Sequence, residues 1–422
     1  MTIRATADKP LRICLLSYRS NPHCGGQGVY VRNLSYWLSR MGHSVEVLAG
    51  PPDPQLRDGV KLTPIDCLDL YNPEALFRMP TWRELIQPVN FMEWAGVSTM
   101  GFPEPFTFGL RAYHYLRGRF HNYDIVHDNQ CLSYGLLAIQ RHIPILATIH
   151  HPITVDRDIA VRSASARLTK LRHMRWYSFL GMQKRVSRAL PHVITVSECA
   201  KNDISRDFNI SKNRFSVIPN GINTELFYPM PEIEREPNSI IVTNSADTPL
   251  KGMYHLLRAV KKLSAQRDLR LTVIGKPKEN GGVERLIREL GIGRLINFTG
   301  RISNEAFVRE YARATVAVVP SVYEGFGLPA GEAMACAVPV ISTSGGALPE
   351  VVGDAGIIVP PENPDAIAGA IARIFDNPTL AEELGRKGYQ RVHNHFTWEL
   401  AARETVAIYR EVIRDYGRFQ QA

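Results

Sequence analysis

Val316-Ala317-Val318-Val319-Pro320-Ser321-Val322-Tyr323-Glu324-Gly325-Phe326-Gly327-Leu328-Pro329-Ala330-Gly331-Glu332 is the stretch on which the fold turns. Residues 316–320 form an apolar, β-branched run of the length expected for a buried strand. A Gly-x-Gly turn follows, and Pro329 suits the first turn of a helix, where its missing N–H costs nothing. Strand, glycine turn and helix in that order mark the carboxyl edge of an open α/β sheet, where ligands bind. Glycines let backbone N–H groups approach a ligand closely, and a helix start presents those groups to an anion. Glu324 and Glu332 would repel a phosphate that they faced directly. Each can instead accept hydrogen bonds from a sugar diol. The pattern therefore suits a molecule with phosphate in its middle and hydroxyl-rich rings at both ends, the shape of a nucleotide-sugar. Acidic capping of a helix start accounts for one glutamate but not for two that flank a Gly-x-Gly turn.

Outward from this stretch the same alternation continues. Strand-like runs at 239–243, 271–274, 297–299, 338–342 and 356–359 alternate with helical periodicity at 252–263 and 283–290. Lys251 stands in the first of these strand-to-helix loops, placed to neutralise a diphosphate. Ser344-Gly345-Gly346-Ala347-Leu348-Pro349-Glu350 repeats the glycine turn before another helix. The N-terminal half has strand-like runs at 11–18, 45–49, 124–127, 145–149 and 192–196, with a helix over 29–41. This predicts an α/β protein of two Rossmann-like doubly wound domains facing a cleft. The boundaries are predicted as 1–227, a Pro- and Glu-rich linker at 228–238, a second domain at 239–397, and a C-terminal helix, 398–422, that crosses back to the first domain. Residues 51–123, rich in Pro and aromatics, read as an elaborated insertion.

In the N-terminal half, Gly25-Gly26-Gln27-Gly28 departs from the G-x-G-x-x-G dinucleotide fingerprint. Glu46 nevertheless lies about 20 residues downstream, where a ribose-binding acid of an NAD site would stand. His150, in Ile149-His150-His151, ends a strand and would point into the cleft. No third ligand at metal-binding spacing accompanies the two histidines. Asp156-Arg157-Asp158 has a D-x-D form but ends no clear strand, and no metal is expected.

The chain has 422 residues, enough for two or three domains. No apolar run approaches the ~18 residues of a membrane span, and the polar start lacks a signal-peptide core, so a cytoplasmic location is expected. The six cysteines form no C-x-x-C pair. Of a net charge of +9, nearly all resides in 157–190, which holds nine Lys or Arg against one Asp. Helical spacing puts Leu168, Leu171, Phe179, Met182, Val186 and Leu190 on one stripe, which predicts a long core-packed helix. Its basic face is either solvated or in peripheral contact with an anionic membrane. No nucleic-acid motif accompanies the charge, so nucleic acid is not an expected partner.

Together, the glutamate pair at 324 and 332, Lys251-Gly252, the Pro219-Asn220-Gly221 turn and the glycine-rich first loop resemble the group 1, or family 4, glycosyltransferases of the GT-B fold. The resemblance covers most of the chain, most strongly 241–372. It implies retaining transfer of a hexosyl group from a nucleoside-diphosphate sugar to a hydroxyl of a glycan or glycolipid, with no cofactor. It also implies roles. Glu332 would hold the ribose hydroxyls, Glu324 the donor sugar and Lys251 the diphosphate. Backbone at Gly327 and Leu328 would complete the phosphate site. Gly26 would let the first loop approach the donor, and His150 would lie near the reacting sugar. Gly275-Lys276 and Arg301-Ile302 would line the base. The family's arginine, five or six residues before the lysine, is replaced here by Ala246 or Ser245. Lys276 and Arg301 are the candidate substitutes. A sugar-nucleotide epimerase or a phosphorylase on the same fold is one alternative, and the missing arginine leaves open a second, a catalytically silent nucleotide-sugar binder.

Overall fold

The computed structural model describes residues 9–20, 26–72, 75, 78–164, 166–243 and 248–421, with side chains of the last helix to 418. The chain forms two compact units. One comprises 1–195, 201–218 and 401–422, the other 196–200 and 219–400.

The first unit is built on a seven-stranded sheet of β1 (Arg12–Ser17), β2 (Ser44–Ala49), β3 (Lys61–Pro64), β4 (Ile125–Asn129), β5 (Ile145–Ile149), β6 (Val193–Thr195) and β7 (Phe215–Val217). Its order is β3-β2-β1-β4-β5-β6-β7, with every pair parallel. β4 and β5 are buried along their whole length, as strands covered on both faces must be. β3 and β7 extend the sheet beyond the strands expected from sequence. They were missed because each is only three or four residues long and only partly buried. The 51–123 excursion supplies β3 and the helices Trp82–Leu85, Pro88–Ser98 and Glu104–Leu116.

The second unit has six parallel strands: β8 (Ser239–Thr243), β9 (Arg270–Ile274), β10 (Ile296–Gly300), β11 (Val316–Val319), β12 (Val340–Thr343) and β13 (Gly356–Val359), in the order β10-β9-β8-β11-β12-β13. Its helices bury apolar faces on both sides of the sheet. Leu256, Leu257, Val260 and Ile371 pack with β8, β9 and β11 in one core, and Ala330, Met334, Val351 and Val392 pack with β11 and β12 in the other. The segment 228–238 lies within this unit.

The long helix expected over 157–190 is broken. Helices Ile153–Ser163, Arg167–Trp176 and Leu180–Ala189 replace it, with a 3-10 turn at Tyr177–Phe179. Only the last carries the expected buried stripe, through Met182 and Val186. Leu168 and Leu171 are 59% and 61% exposed instead of packed in a core. Short helices can aim their apolar faces independently, which a single periodicity over 34 residues does not register. The C-terminal helix runs Trp398–Gln421. Its residues from Ala401 belong to the first unit, where Tyr409 is fully buried. No helix among the described residues is long and apolar enough to cross a membrane.

Candidate active site

Each sheet reverses its winding at one point, between β1 and β4 in the first unit and between β8 and β11 in the second. The loops leaving such a pair of strands diverge and open a crevice at the carboxyl edge. Lys251 and Glu324 lie at the reversal point of the second sheet, and His150 lies beside that of the first, after β5.

In the second unit, Lys251 ends a 3-10 turn, Pro249–Lys251, after β8, and Glu324 follows β11. Lys251 Nζ lies 2.7 Å from Glu324 Oε1, and Ser321 Oγ donates to the same oxygen at 2.7 Å. The two loops are stitched together by the backbone: Val322 N–H donates to Leu250 C=O at 2.8 Å. Gly252 makes that approach possible. Its φ is +67°, and a Cβ there would stand 1.8 Å from the Pro320 carbonyl oxygen. Gly346 does the same for the next loop. Its φ is +66°, and an added Cβ would stand 2.1 Å from the Glu324 carbonyl oxygen. That oxygen accepts from Ala347 N–H at 2.9 Å. The glycine turn at 344–346 thus holds the Glu324 loop from below, and Lys251 holds it from the side.

Gly327 caps the helix Leu328–Ala335 with φ +103°. Leu328 begins this helix and packs against the core beneath it. Glu332 lies one turn further on, partly buried, beside Tyr311 and Cys336. Burial pushes its carboxyl up to about 7. Gly275 and Gly300 form a bridge between the ends of β9 and β10. The stem of Lys276 covers Gly300, with its Cε 2.8 Å from where a Cβ would stand. Lys276 and Arg301 are exposed and Ile302 partly buried. These four residues form a rim group on the β9–β10 side, separate from the Lys251–Glu324 pair. Ser245 and Ala246 lie outside the described residues.

In the first unit, His150 follows β5 and is 9% exposed. Its Nε2 lies 2.7 Å from Asn129 Oδ1, at the end of β4. Its backbone N–H donates to Gln130 Oε1 at 2.7 Å. Tyr30 stands edge-on to the ring at 4.7 Å between centroids. Burial, with His151 and His127 adding, pushes the imidazole down to about 3, so His150 is neutral. A second histidine, His127, sits behind it, bonded to Tyr409 Oη at 2.6 Å and Thr148 Oγ1 at 2.7 Å. Sequence reasoning missed Asn129, Gln130 and His127. The polar run His127-Asp128-Asn129-Gln130 after Ile125-Val126 was the available signal, since polar residues ending a buried strand must find partners.

Gly26 is the first described residue after the gap at 21–25 and begins the helix Gly26–Arg40, with open space where a Cβ would stand. Gln27 and Gly28 continue this helix, with Gly28 buried, and Gly25 lies outside the described residues. Glu46 is not placed for a ribose. It lies inside β2, not at its end, with Thr63, Tyr115 and Tyr123 donating to it and Lys61 Nζ 3.0 Å away. Asp156 and Asp158 lie on the helix Ile153–Ser163, where Asp156 pairs with His151 before it at 2.7 Å and Asp158 with Arg157 at 2.7 Å.

Comparison with known proteins identifies the family. Residues 230–391 match the model of glycosyl transferases group 1, and residues 24–226 that of glycosyltransferase family 4. The chain is 45% identical over 408 residues to the MMP alpha-(1->4)-mannosyltransferase of Mycolicibacterium hassiacum, covering 96% of this chain and 98% of that protein. It is 26% identical to a D-inositol 3-phosphate glycosyltransferase of Streptomyces avermitilis, over 99% of this chain and 91% of the relative. Among solved structures, the sucrose-phosphate synthase of Thermosynechococcus elongatus superposes with a TM-score of 0.74 at 25% identity, covering 96% of this chain and all of the other. Two parallel Rossmann-like sheets, the family matches and these relatives lead to one conclusion: the chain is a glycosyltransferase of the GT-B fold and belongs to the group 1, family 4 glycosyltransferases.

Proposed function

We propose that this enzyme transfers a hexosyl group from a nucleoside-diphosphate sugar to a hydroxyl of a glycan or glycolipid, with retention of anomeric configuration. The observation that carries the reading is the Lys251–Glu324 pair at the winding reversal of the second sheet. A cation held at a sheet edge, beside the helix start at Gly327 and Leu328, suits a diphosphate. Glu324 and Glu332 suit the hydroxyls of the donor sugar and the ribose, and Gly275, Lys276, Arg301 and Ile302 suit the base. In the first unit, Gly26 leaves room for the donor and His150 serves the reacting sugar.

The mechanism follows from where charge develops. As the glycosidic bond breaks, negative charge gathers on the diphosphate and positive charge on the sugar ring. Lys251 and the backbone N–H groups at 327 and 328 stabilise the departing diphosphate more than the intact donor. A nucleoside diphosphate leaves readily, so no protein acid has to protonate it, and one of its own oxygens takes the proton of the acceptor hydroxyl. Attack on the face from which the diphosphate departs retains configuration. Common nucleoside-diphosphate hexoses are α-linked. The α-(1->4) linkage named for the mannosyltransferase relative would, if shared, be the retained product, and mannose is the first donor sugar to test.

The acceptor side includes a surface contact. Exposed Leu168, Leu171 and Met174 alternate with Arg167, Lys170, Arg172 and Arg175 on one helix, and no acidic residue occurs between 167 and 189. Apolar side chains to insert and cations to meet headgroups suit the anionic inner face of a membrane, with the enzyme on the cytoplasmic side.

The test is a panel of nucleoside-diphosphate hexoses with glycan and glycolipid acceptors, with products read by mass spectrometry. A hexose added to the acceptor is expected. Donor epimerisation without an acceptor, or donor binding with no transfer in any combination, would overturn the reading.

A further inference from the structure

Asn129 ends β4, between His150 just after β5 and Ser17 at the end of β1. Its Nδ2 lies 3.3 Å from the Gln27 carbonyl oxygen and 3.3 Å from Ser17 Oγ. A carbonyl oxygen can only accept, so the atom facing Gln27 is the amide nitrogen. That orientation leaves Oδ1 facing His150 Nε2 at 2.7 Å. An amide oxygen also only accepts, so Nε2 carries the hydrogen. A neutral imidazole has one N–H, and Nδ1 is therefore a bare acceptor. It has no hydrogen-bond partner among the described residues.

The surroundings hold this arrangement in place. Gln130 Oε1 accepts the His150 N–H at 2.7 Å while Gln130 Nε2 donates to His151 C=O at 3.0 Å. The ends of β4 and β5 are thus tied together through a residue with φ +56°, a left-handed conformation that side-chain-bearing residues adopt uncommonly. Ser17 Oγ is itself bonded to Ser20 Oγ, and Gln183 Nε2 donates to Gln130 C=O at 3.2 Å. Strain held by many partners is characteristic of functional positions.

We propose that Asn129 is a positioning residue that locks His150 in the Nε2–H tautomer, so that Nδ1 accepts a hydrogen bond from a sugar hydroxyl. This rests on the placement of His150 at the reacting sugar. The charge logic supports an acceptor. A histidinium there would repel the positive charge that develops on the sugar ring, whereas a neutral nitrogen lone pair favours it. The groups that face the ring from neighbouring elements are Asn129, Tyr30, His127 and His151, and none is a carboxylate that would charge it.

The test combines nitrogen-15 spectra of the histidine rings with transfer kinetics for wild type, Asn129→Leu, Asn129→Asp and His150→Ala. In wild type, His150 should show the neutral Nε2–H form throughout pH 6–8. Asn129→Leu should mix the tautomers and lower kcat roughly tenfold or more, the scale seen when the partner that orients a metal-ligating histidine is lost, with donor KM little changed. Asn129→Asp keeps an acceptor for Nε2–H but brings a negative charge to the ring and raises its pKa. His150 should then gain a second proton at low pH, and transfer should recover as pH rises through that value. A merely structural role for Asn129 would give no such profile. His150→Ala with wild-type transfer overturns the placement of His150. A slow His150→Ala enzyme beside an Asn129→Leu enzyme of unchanged tautomer and rate overturns the role of Asn129 alone.

Discussion

Lys251 Nζ and Glu324 Oε1, 73 residues apart in sequence, meet at 2.7 Å where the second sheet reverses its winding. The first unit has a counterpart: Asn129 reaches Ser17 across the junction of β4 and β1. In each unit the fold brings together side chains from strands that sequence order keeps far apart, at the one edge where diverging loops leave room for a ligand.

In the proposed reaction, the lysine of this pair faces charge that grows as the diphosphate departs. Lys251→Ala should reduce kcat by ~10²–10³, the usual effect of removing a charge-directed donor at such a position. Steady-state kinetics with circular dichroism as a folding control would check this. A correctly folded variant with wild-type turnover would remove Lys251 from the diphosphate site.

Glu332 should couple donor binding to protons. Its carboxyl is pushed up to about 7 by burial, from an ordinary 4.5. Hydroxyl groups that donate to it favour the ionised form. Donor binding near pH 7 should therefore release protons, measured by calorimetry in buffers of different ionisation enthalpy. Glu332→Gln should bind more weakly and release none from this position. The folded state also holds a proton here that the unfolded chain gives up between about pH 4.5 and 7. Stability should fall across that window as pH rises, and more steeply than in Glu332→Gln.

Much of this site was legible in the sequence because its parts are local. A buried strand, a glycine turn and a helix start can be read from consecutive residues, as at 316–332. The pairing of Lys251 with Glu324 was not, since both were seen only as separate loop residues. Asn129 escaped because the strand-like run expected at 124–127 stops short of it, whereas the buried Asp128 and Asn129 continue β4. Glu46 stood at a suggestive spacing, yet Lys61 and Thr63 on β3, Tyr115 on the helix Glu104–Leu116 and Tyr123 before β4 claim it. Spacing reports distance along the chain and not which hydrogen bonds a carboxylate already makes.

The close approach at Gly252 gives a stability prediction. Gly252→Ala would place a Cβ at φ +67°, 1.8 Å from the Pro320 oxygen. The left-handed conformation alone costs ~1–2 kcal/mol, and the clash adds to it. Thermal unfolding should show a drop of several degrees, together with loss of transfer, whereas Lys251→Ala should unfold near the wild-type temperature. An unchanged Tm in Gly252→Ala would mean that the two loops do not meet as described.

Surface attachment should depend on both the apolar and the basic residues of the helix Arg167–Trp176. Each cation near an anionic surface contributes ~1 kcal/mol, screened as salt rises. Co-sedimentation with anionic vesicles should weaken in a Leu168, Leu171, Met174→Ser variant and in a Lys170, Arg172→Glu variant, and with wild type on neutral vesicles. Equal sedimentation in all cases would leave this helix a solvated surface.

The most direct measurement is the proton NMR spectrum of the anomeric position during reaction of an α-linked nucleoside-diphosphate hexose with a hydroxyl acceptor. The expected result is an α-glycoside that accumulates in step with free nucleoside diphosphate, and that fails to accumulate with Lys251→Ala. A β-glycoside, or release of nucleoside diphosphate with no new glycosidic bond, would contradict retaining transfer at the Lys251–Glu324 site.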